Sequence, residues 1–204
     1  DFLSATFRKY LRGPRGVGFL YVSDRVLGSN MEPLGMDLQG ADWVAPDAYQ
    51  LYPDARRFET WERDMALQLG AAKAVEYLLR MDVTSVQQRI KSLADALSTA
   101  CRTISRIKEH RYNMHSSAEL VSPGTFIDHQ SGILLFDVDT PMEAAELIKQ
   151  LRQRGLNAST AGQYNDQYHF REQGVDWALR LSIHYYNTEE EIAQALKVLN
   201  SVLT

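Results

Sequence analysis

The sequence predicts a mixed α/β chain in two parts. Three features carry this: short runs rich in β-branched and aromatic residues near both ends, helical periodicity through the middle, and sharp helix-start signals among the late strands. A length of 204 residues suits one large domain or two small ones. With 45% hydrophobic and 24% charged residues, the composition excludes disorder and low complexity as the main state. The net charge of −4 gives no electrostatic footprint for nucleic acid. No apolar run is long enough to span a membrane. The single Cys cannot form an intramolecular disulfide, which points to a reducing, cytoplasmic setting.

Phe2 to Phe7 reads as a buried strand, and Val17 to Val22 as a second. Between them lies a basic turn with two Gly and a Pro, Arg8 to Gly16. Residues 28–57 carry Gly, Pro, Asp and Asn at close intervals and no sustained period, so they read as a long connection with at most a short turn of helix or strand. From Trp61 to about Arg80, Trp61, Met65, Leu69, Ala72, Val75 and Leu79 recur at helical spacing. Thr84 with Gln87 has the capping-box pattern of a second, longer helix with its stripe on Val86, Ile90, Leu93, Leu97, Cys101, Ile104 and Ile107. A boundary within 82–110 divides the front part from a C-terminal α+β part. There, Gly132 to Val138 predicts a strand, and Thr140-Pro141-Met142-Glu143 a helix running to about Arg154, with Gly155 at its end. Leu156 to Thr160 is a strand candidate, and Ala161 to Asp176 reads as a loop. Trp177 to His184 alternates like a strand with one covered face, and Thr188 with Glu191 caps the last helix.

Lys9 stands between a strand and a Gly/Pro loop, flanked by Arg8, Arg12 and Arg15. A lysine among cations favours the neutral amine that attacks carbonyls. A solvated basic turn fits the same residues and is the commoner outcome. The loop Gly13-Pro14-Arg15-Gly16 fits a phosphate cradle or a plain tight turn. Arg180, alternating with Leu179 and Leu181, needs an anion, either a nearby carboxylate of the chain or a substrate carboxylate. The histidines 110, 115, 129, 169 and 184 lack metal-ligand spacing and read as surface or packing residues. Cys101, on a helix stripe, reads as an inert core residue.

Three segments, in order, resemble the class V aminotransferases, fold-type I pyridoxal-phosphate enzymes that include cysteine desulfurases and selenocysteine lyases. Ala5 to Val22 is similar to the cofactor-lysine segment. Ala55-Arg56-Arg57-Phe58-Glu59-Thr60-Trp61-Glu62 is similar to an R-F-E segment ahead of a helix. Arg180 to Glu191 resembles an R-x-S-x-x-x-Y-N-T-x-x-E segment. The resemblance implies an α/β fold. Residues 1–82 would be the C-terminal end of the large cofactor-binding domain, and 83–204 the small α+β domain. It implies pyridoxal 5'-phosphate as cofactor, an amino acid as small-molecule substrate and a homodimer, with no nucleic acid or membrane partner. Lys9 would link the cofactor and shuttle the substrate Cα proton. Thr6 and Arg8 match positions near the cofactor phosphate, where relatives place Ser and His. Thr60 matches a phosphate contact made across the dimer, although relatives have a Gly-Thr pair there and this chain has Glu59-Thr60. Arg180 would clamp the substrate α-carboxylate.

Desulfurases of this family carry a nucleophilic Cys on a loop corresponding to Gly155–Trp177, and this stretch has none. Transamination, β- or γ-elimination and epimerisation remain open. The opening Asp1-Phe2-Leu3-Ser4-Ala5-Thr6 has neither an initiator Met nor a signal pattern, and relatives place most cofactor contacts ahead of the lysine. The expectation is therefore the C-terminal part of a longer enzyme, inactive and weak in cofactor binding on its own. A non-catalytic dimerisation module of the same fold is the alternative. An anion-binding domain using Arg12 and Arg15 is a third reading.

Overall fold

The computed structural model describes residues 1–110 and 131–203. Its contacts separate two compact units, Asp1–Asp82 and Val83–Thr204. His115 and His129, read above as surface or packing residues, lie outside the described residues.

In the first unit, β1 (Phe2–Thr6) pairs antiparallel with β2 (Gly18–Val22), Phe2 opposite Val22 and Thr6 opposite Gly18. A four-residue helix follows, α1 (Asp24–Leu27). The stretch read as a connection contains a hairpin instead: β3 (Ala41–Ala45) pairs with β4 (Ala48–Leu51), then Ala55–Phe58 makes one 3-10 turn. Its order comes from a cation. The buried Arg57 donates from Nε to the carbonyl of Tyr52 (2.9 Å), from Nη2 to that of Leu27 (3.0 Å), and from Nη1 to those of Ser29 and Met31 (3.3 Å each). Four carbonyls with no partner in a sheet or helix are satisfied by one planar fork.

The helix α2 (Met65–Arg80) starts one turn later than expected, because Asp64 takes the N-cap and accepts from Leu67 N at 3.0 Å. Its inward face is also not the large apolar stripe. Met65, Leu69 and Leu79 are exposed, whereas Ala71 is buried and Gly70 and Ala74 face the 7–17 loop. Small residues permit that close approach: a Cβ on Gly70 would sit 3.2 Å from Pro14 Cγ.

The second unit is built on an antiparallel sheet of order β5-β6-β8-β7. Its elements are α3 (Val83–Cys101), β5 (Ile107–Glu109), β6 (Ile133–Val138), α4 (Ala144–Gln153), β7 (Ser159–Gly162), α5 (Gln167–Gln173), β8 (Trp177–Ser182) and α6 (Glu189–Leu203). Leu134, Phe136, Leu179 and Leu181 on one sheet face pack with Leu93, Leu97, Leu147, Leu151 and Leu199 of the helices. Ala161, Ala178 and Leu135 on the other face pack against Phe170 of α5, a helix inside the expected loop. Thr140 caps nothing helical: its Oγ1 accepts from Met142 N at 3.2 Å, and α4 begins after Glu143. Thr84 likewise falls inside the first turn of α3. The last capping box forms as read, with Thr188 N donating to Glu191 Oε2 at 3.0 Å and Glu191 N to Thr188 Oγ1 at 3.2 Å. Among the described residues, no helix is long and apolar enough to cross a membrane.

Arg57→Ala leaves its four carbonyls without donors. Urea unfolding of the first unit should lose about 3 kcal/mol, and Arg57→Lys should recover only part of this, since an ammonium cannot span all four oxygens.

Candidate functional site

The candidate residues fall into two groups, one in each unit. Lys9 lies in the loop joining β1 to β2. Phe7 N donates to Val17 O (3.2 Å), Gly13 N to Phe7 O (2.8 Å) and Arg12 N to Lys9 O (2.9 Å), so the backbone around Lys9 is pinned while its side chain stays exposed. Gly13 is required by space, since a Cβ there would lie 2.9 Å from Phe7 Cβ and 3.4 Å from Ala74 Cβ. Gly16 is required by its backbone, at φ +85°. These glycines serve a tight turn seated on α2. Arg12 is drawn onto the Tyr77 ring, its Cζ 5.0 Å from the ring centre, so it is not an open anion ligand.

The side chains of Arg8 and Lys9 are exposed and make no hydrogen bond or ion pair with the described residues. Thr6, half-buried at the end of β1, directs Oγ1 at the carbonyl of Val17 over a long 3.5 Å. Thr60 lies outside this loop group. It lines an open cleft of about 530 Å³ with Ser4, Leu20, Phe58, Arg63 and Gln68, and Lys9 is not among the walls. The approach to α2 is fixed by Asp37, whose carboxylate accepts from Trp61 N at 2.7 Å and from Gln39 N at 2.8 Å, a contact that no motif signals.

In the second unit, Arg180 sits half-buried in mid-β8, opposite Leu135 on β6 and Ser159 on β7. It alternates with the core residues Leu179 and Leu181, so it belongs to the face that carries Ala178 and α5. Among the described residues it has no hydrogen-bond or ion-pair partner. The rest of its motif is used by the fold. Asn187 Oδ1 accepts from His184 N (2.8 Å), its Nδ2 donates to Glu191 (2.9 Å), and its carbonyl accepts from Arg89 (2.9 Å). Arg89 also grips Glu189, and that hydrogen bond holds the Glu189 carboxyl down at about 2. Cys101 is fully buried in the helical core, and burial pushes its thiol up to about 12.

The aminotransferase class-V profile matches residues 1–195. The chain belongs to this family. A probable cysteine desulfurase of Methanothermobacter thermautotrophicus is 26% identical over 94% of this chain and 45% of its own length. The crystal structure of the cysteine desulfurase CsdA from Escherichia coli superposes with a TM-score of 0.78 at 23% identity, over 100% of this chain and 46% of that one. The cystine C-S lyase C-DES, solved with its product cysteine persulfide, gives 0.74 at 21% identity, over 98% of this chain and 46% of its own. These likenesses bear out the α/β fold, and the chain spans about half the length of the relatives it matches.

Two outcomes follow from this geometry. Cys101 should resist a thiol reagent in the folded chain at neutral pH and react fully in denaturant; ready labelling without unfolding would contradict its burial. The Glu189 carboxyl is lower in the folded state than its ordinary 4.5, so its contribution is complete above that value and is lost as pH falls to about 2. Glu189→Gln should flatten this acid-side loss, read as the urea midpoint of α6 against pH.

Proposed function

We propose that this chain supplies the lysine loop and the carboxylate clamp of a pyridoxal-phosphate enzyme acting on an amino acid, by transamination or C–S lysis. One observation carries the reading. Of the family-motif residues, Arg57, Asn187, Thr188 and Glu191 are consumed by the fold's own hydrogen bonds, whereas Arg8, Lys9 and Arg180 have no partner among the described residues. Cations that the fold does not use, on a pinned loop and a packed strand, are suited to a ligand.

The donor set fits the cofactor. The loop offers an amine for an aldehyde, with the Thr6 hydroxyl and the Arg8 guanidinium close in sequence as phosphate donors. Thr60 is proposed as a further phosphate donor, from its own cleft. When bound, pyridoxal phosphate supplies an electron sink for a bond broken at the substrate Cα. Lys9 Nζ would hold the cofactor at its aldehyde end and would take and return the substrate Cα proton. The Arg180 fork would bind the substrate α-carboxylate bidentately. Residues 1–82 would belong to the large cofactor domain and 83–204 to the small one, in a cytoplasmic homodimer.

A persulfide carried on this chain's own cysteine is disfavoured, because the one Cys is Cys101 in the core. C–S lysis, as named for C-DES, therefore fits this chain better than the chemistry named for CsdA. In the protein as its source cell makes it, cystine and water should yield pyruvate, ammonia and cysteine persulfide, or an amino donor with a keto acid should yield the donor's keto acid and the new amino acid. Lys9→Ala should abolish either product. Arg180→Ala should raise KM for carboxylate substrates by roughly 100-fold. Full turnover in Lys9→Ala would overturn the proposal in favour of a non-catalytic module.

A further inference from the structure

Opposite charges face each other across β5 and β6 in the second unit without joining. Lys108 on β5 is directly opposite Asp137 on β6. Just before β5, the carbonyl of Arg106 accepts from Asp139 N at 2.9 Å, so Arg106 and Asp139 are opposite as well. Positions two apart share a strand face, which puts Arg106, Lys108, Asp137 and Asp139 on one side of the sheet. Opposite charges so placed normally pair. Here Asp137 is taken by His110, whose Nδ1 lies 2.6 Å from Asp137 Oδ1 and whose Nε2 meets Nε2 of the buried His169 at 2.7 Å. Lys108 is left without its carboxylate. Among the described residues, the side chains of Arg106, Lys108 and Asp139 make no hydrogen bond or ion pair.

These charged side chains line one open cleft of about 530 Å³, to which Val138, Val175 and Trp177 add apolar wall. Neither Lys9 nor Arg180 is among its walls. The planar fork of Arg106 matches a carboxylate bidentately, and Lys108, on the same face, adds a second positive charge beside it. Asp139 can accept from an ammonium next to that carboxylate. A simple anion in this cleft leaves Asp139 unanswered, and a simple cation leaves Arg106 and Lys108 unanswered. A molecule with both signs on neighbouring atoms answers all three.

We propose that this cleft binds a free α-amino acid with an apolar side chain. Its carboxylate lies on Arg106 and Lys108, its ammonium on Asp139, and its side chain against Val138, Val175 and Trp177. The site belongs wholly to the second unit and requires no cofactor.

Calorimetric titration of the intact chain with L-leucine tests this. Leucine should bind with a dissociation constant on the order of 1 mM, the range open to a ligand so small. N-acetyl-L-leucine, which lacks the ammonium, and L-leucinamide, which lacks the carboxylate, should each bind about tenfold more weakly or worse. Glycine, with no side chain to bury, should bind about tenfold more weakly too. Arg106→Gln and Asp139→Asn, both at exposed positions, should each weaken leucine by about tenfold. The binding that Arg106→Gln weakens should persist in Arg180→Ala, which separates this cleft from the proposed substrate clamp. The proposal is overturned by the absence of saturable leucine binding, or by equal binding of N-acetyl-L-leucine or L-leucinamide. It is equally overturned if leucine binding is lost in Arg180→Ala and kept in Arg106→Gln.

Discussion

The first unit depends on one guanidinium. Its buried apolar residues are only Val22, Val26, Ala41 and Ala71, while Phe2, Leu3, Leu20, Trp43, Leu69 and Leu79 are exposed. Apolar burial alone gives residues 24–58 little reason to hold a single path. Arg57 provides that reason by gathering carbonyls from Leu27, Ser29, Met31 and Tyr52 around one rigid fork. The second unit is held differently. Its sheet buries Phe136, Leu179 and Leu181 under three helices, and order follows from packing.

Packing also explains why the lysine loop is well defined. Gly13 admits Phe7 and Ala74, Gly70 admits Pro14, and Arg12 rests on Tyr77. The loop is a rigid perch with one long exposed amine. The motif residues divide into those the fold's own hydrogen bonds use and those left without a partner among the described residues, and Lys9 and Arg180 fall on the second side.

Much of this was legible in the sequence. Strands β1, β2, β6 and β8 and the long helices lie where the sequence indicated, although β1, read as buried, is exposed from Phe2 to Ala5, and α3 stops at Cys101, leaving Ile107 to begin β5; the Thr188–Glu191 cap formed as its spacing indicated. The failures have physical causes. Thr140 competed with Glu143 for a helix start and lost. The stripe of α2 was read from large side chains, yet the packed face is Gly70, Ala71 and Ala74, because close approach to Pro14 needs small ones. The hairpin β3–β4 hid among Gly, Pro and Asp, because its strands span only five and four residues. Arg57 carried a motif label but no hint of its carbonyl partners. The imidazole pair joins positions 110 and 169, a separation no local pattern encodes.

The most direct measurement of the central claim is borohydride reduction of the protein as purified from its own cells, followed by peptide mass mapping. The account predicts a stable pyridoxyl-phosphate mass on the peptide containing Lys9 and on no other lysine. Recovery of that peptide unmodified, while the protein still turns over an amino acid, would contradict it.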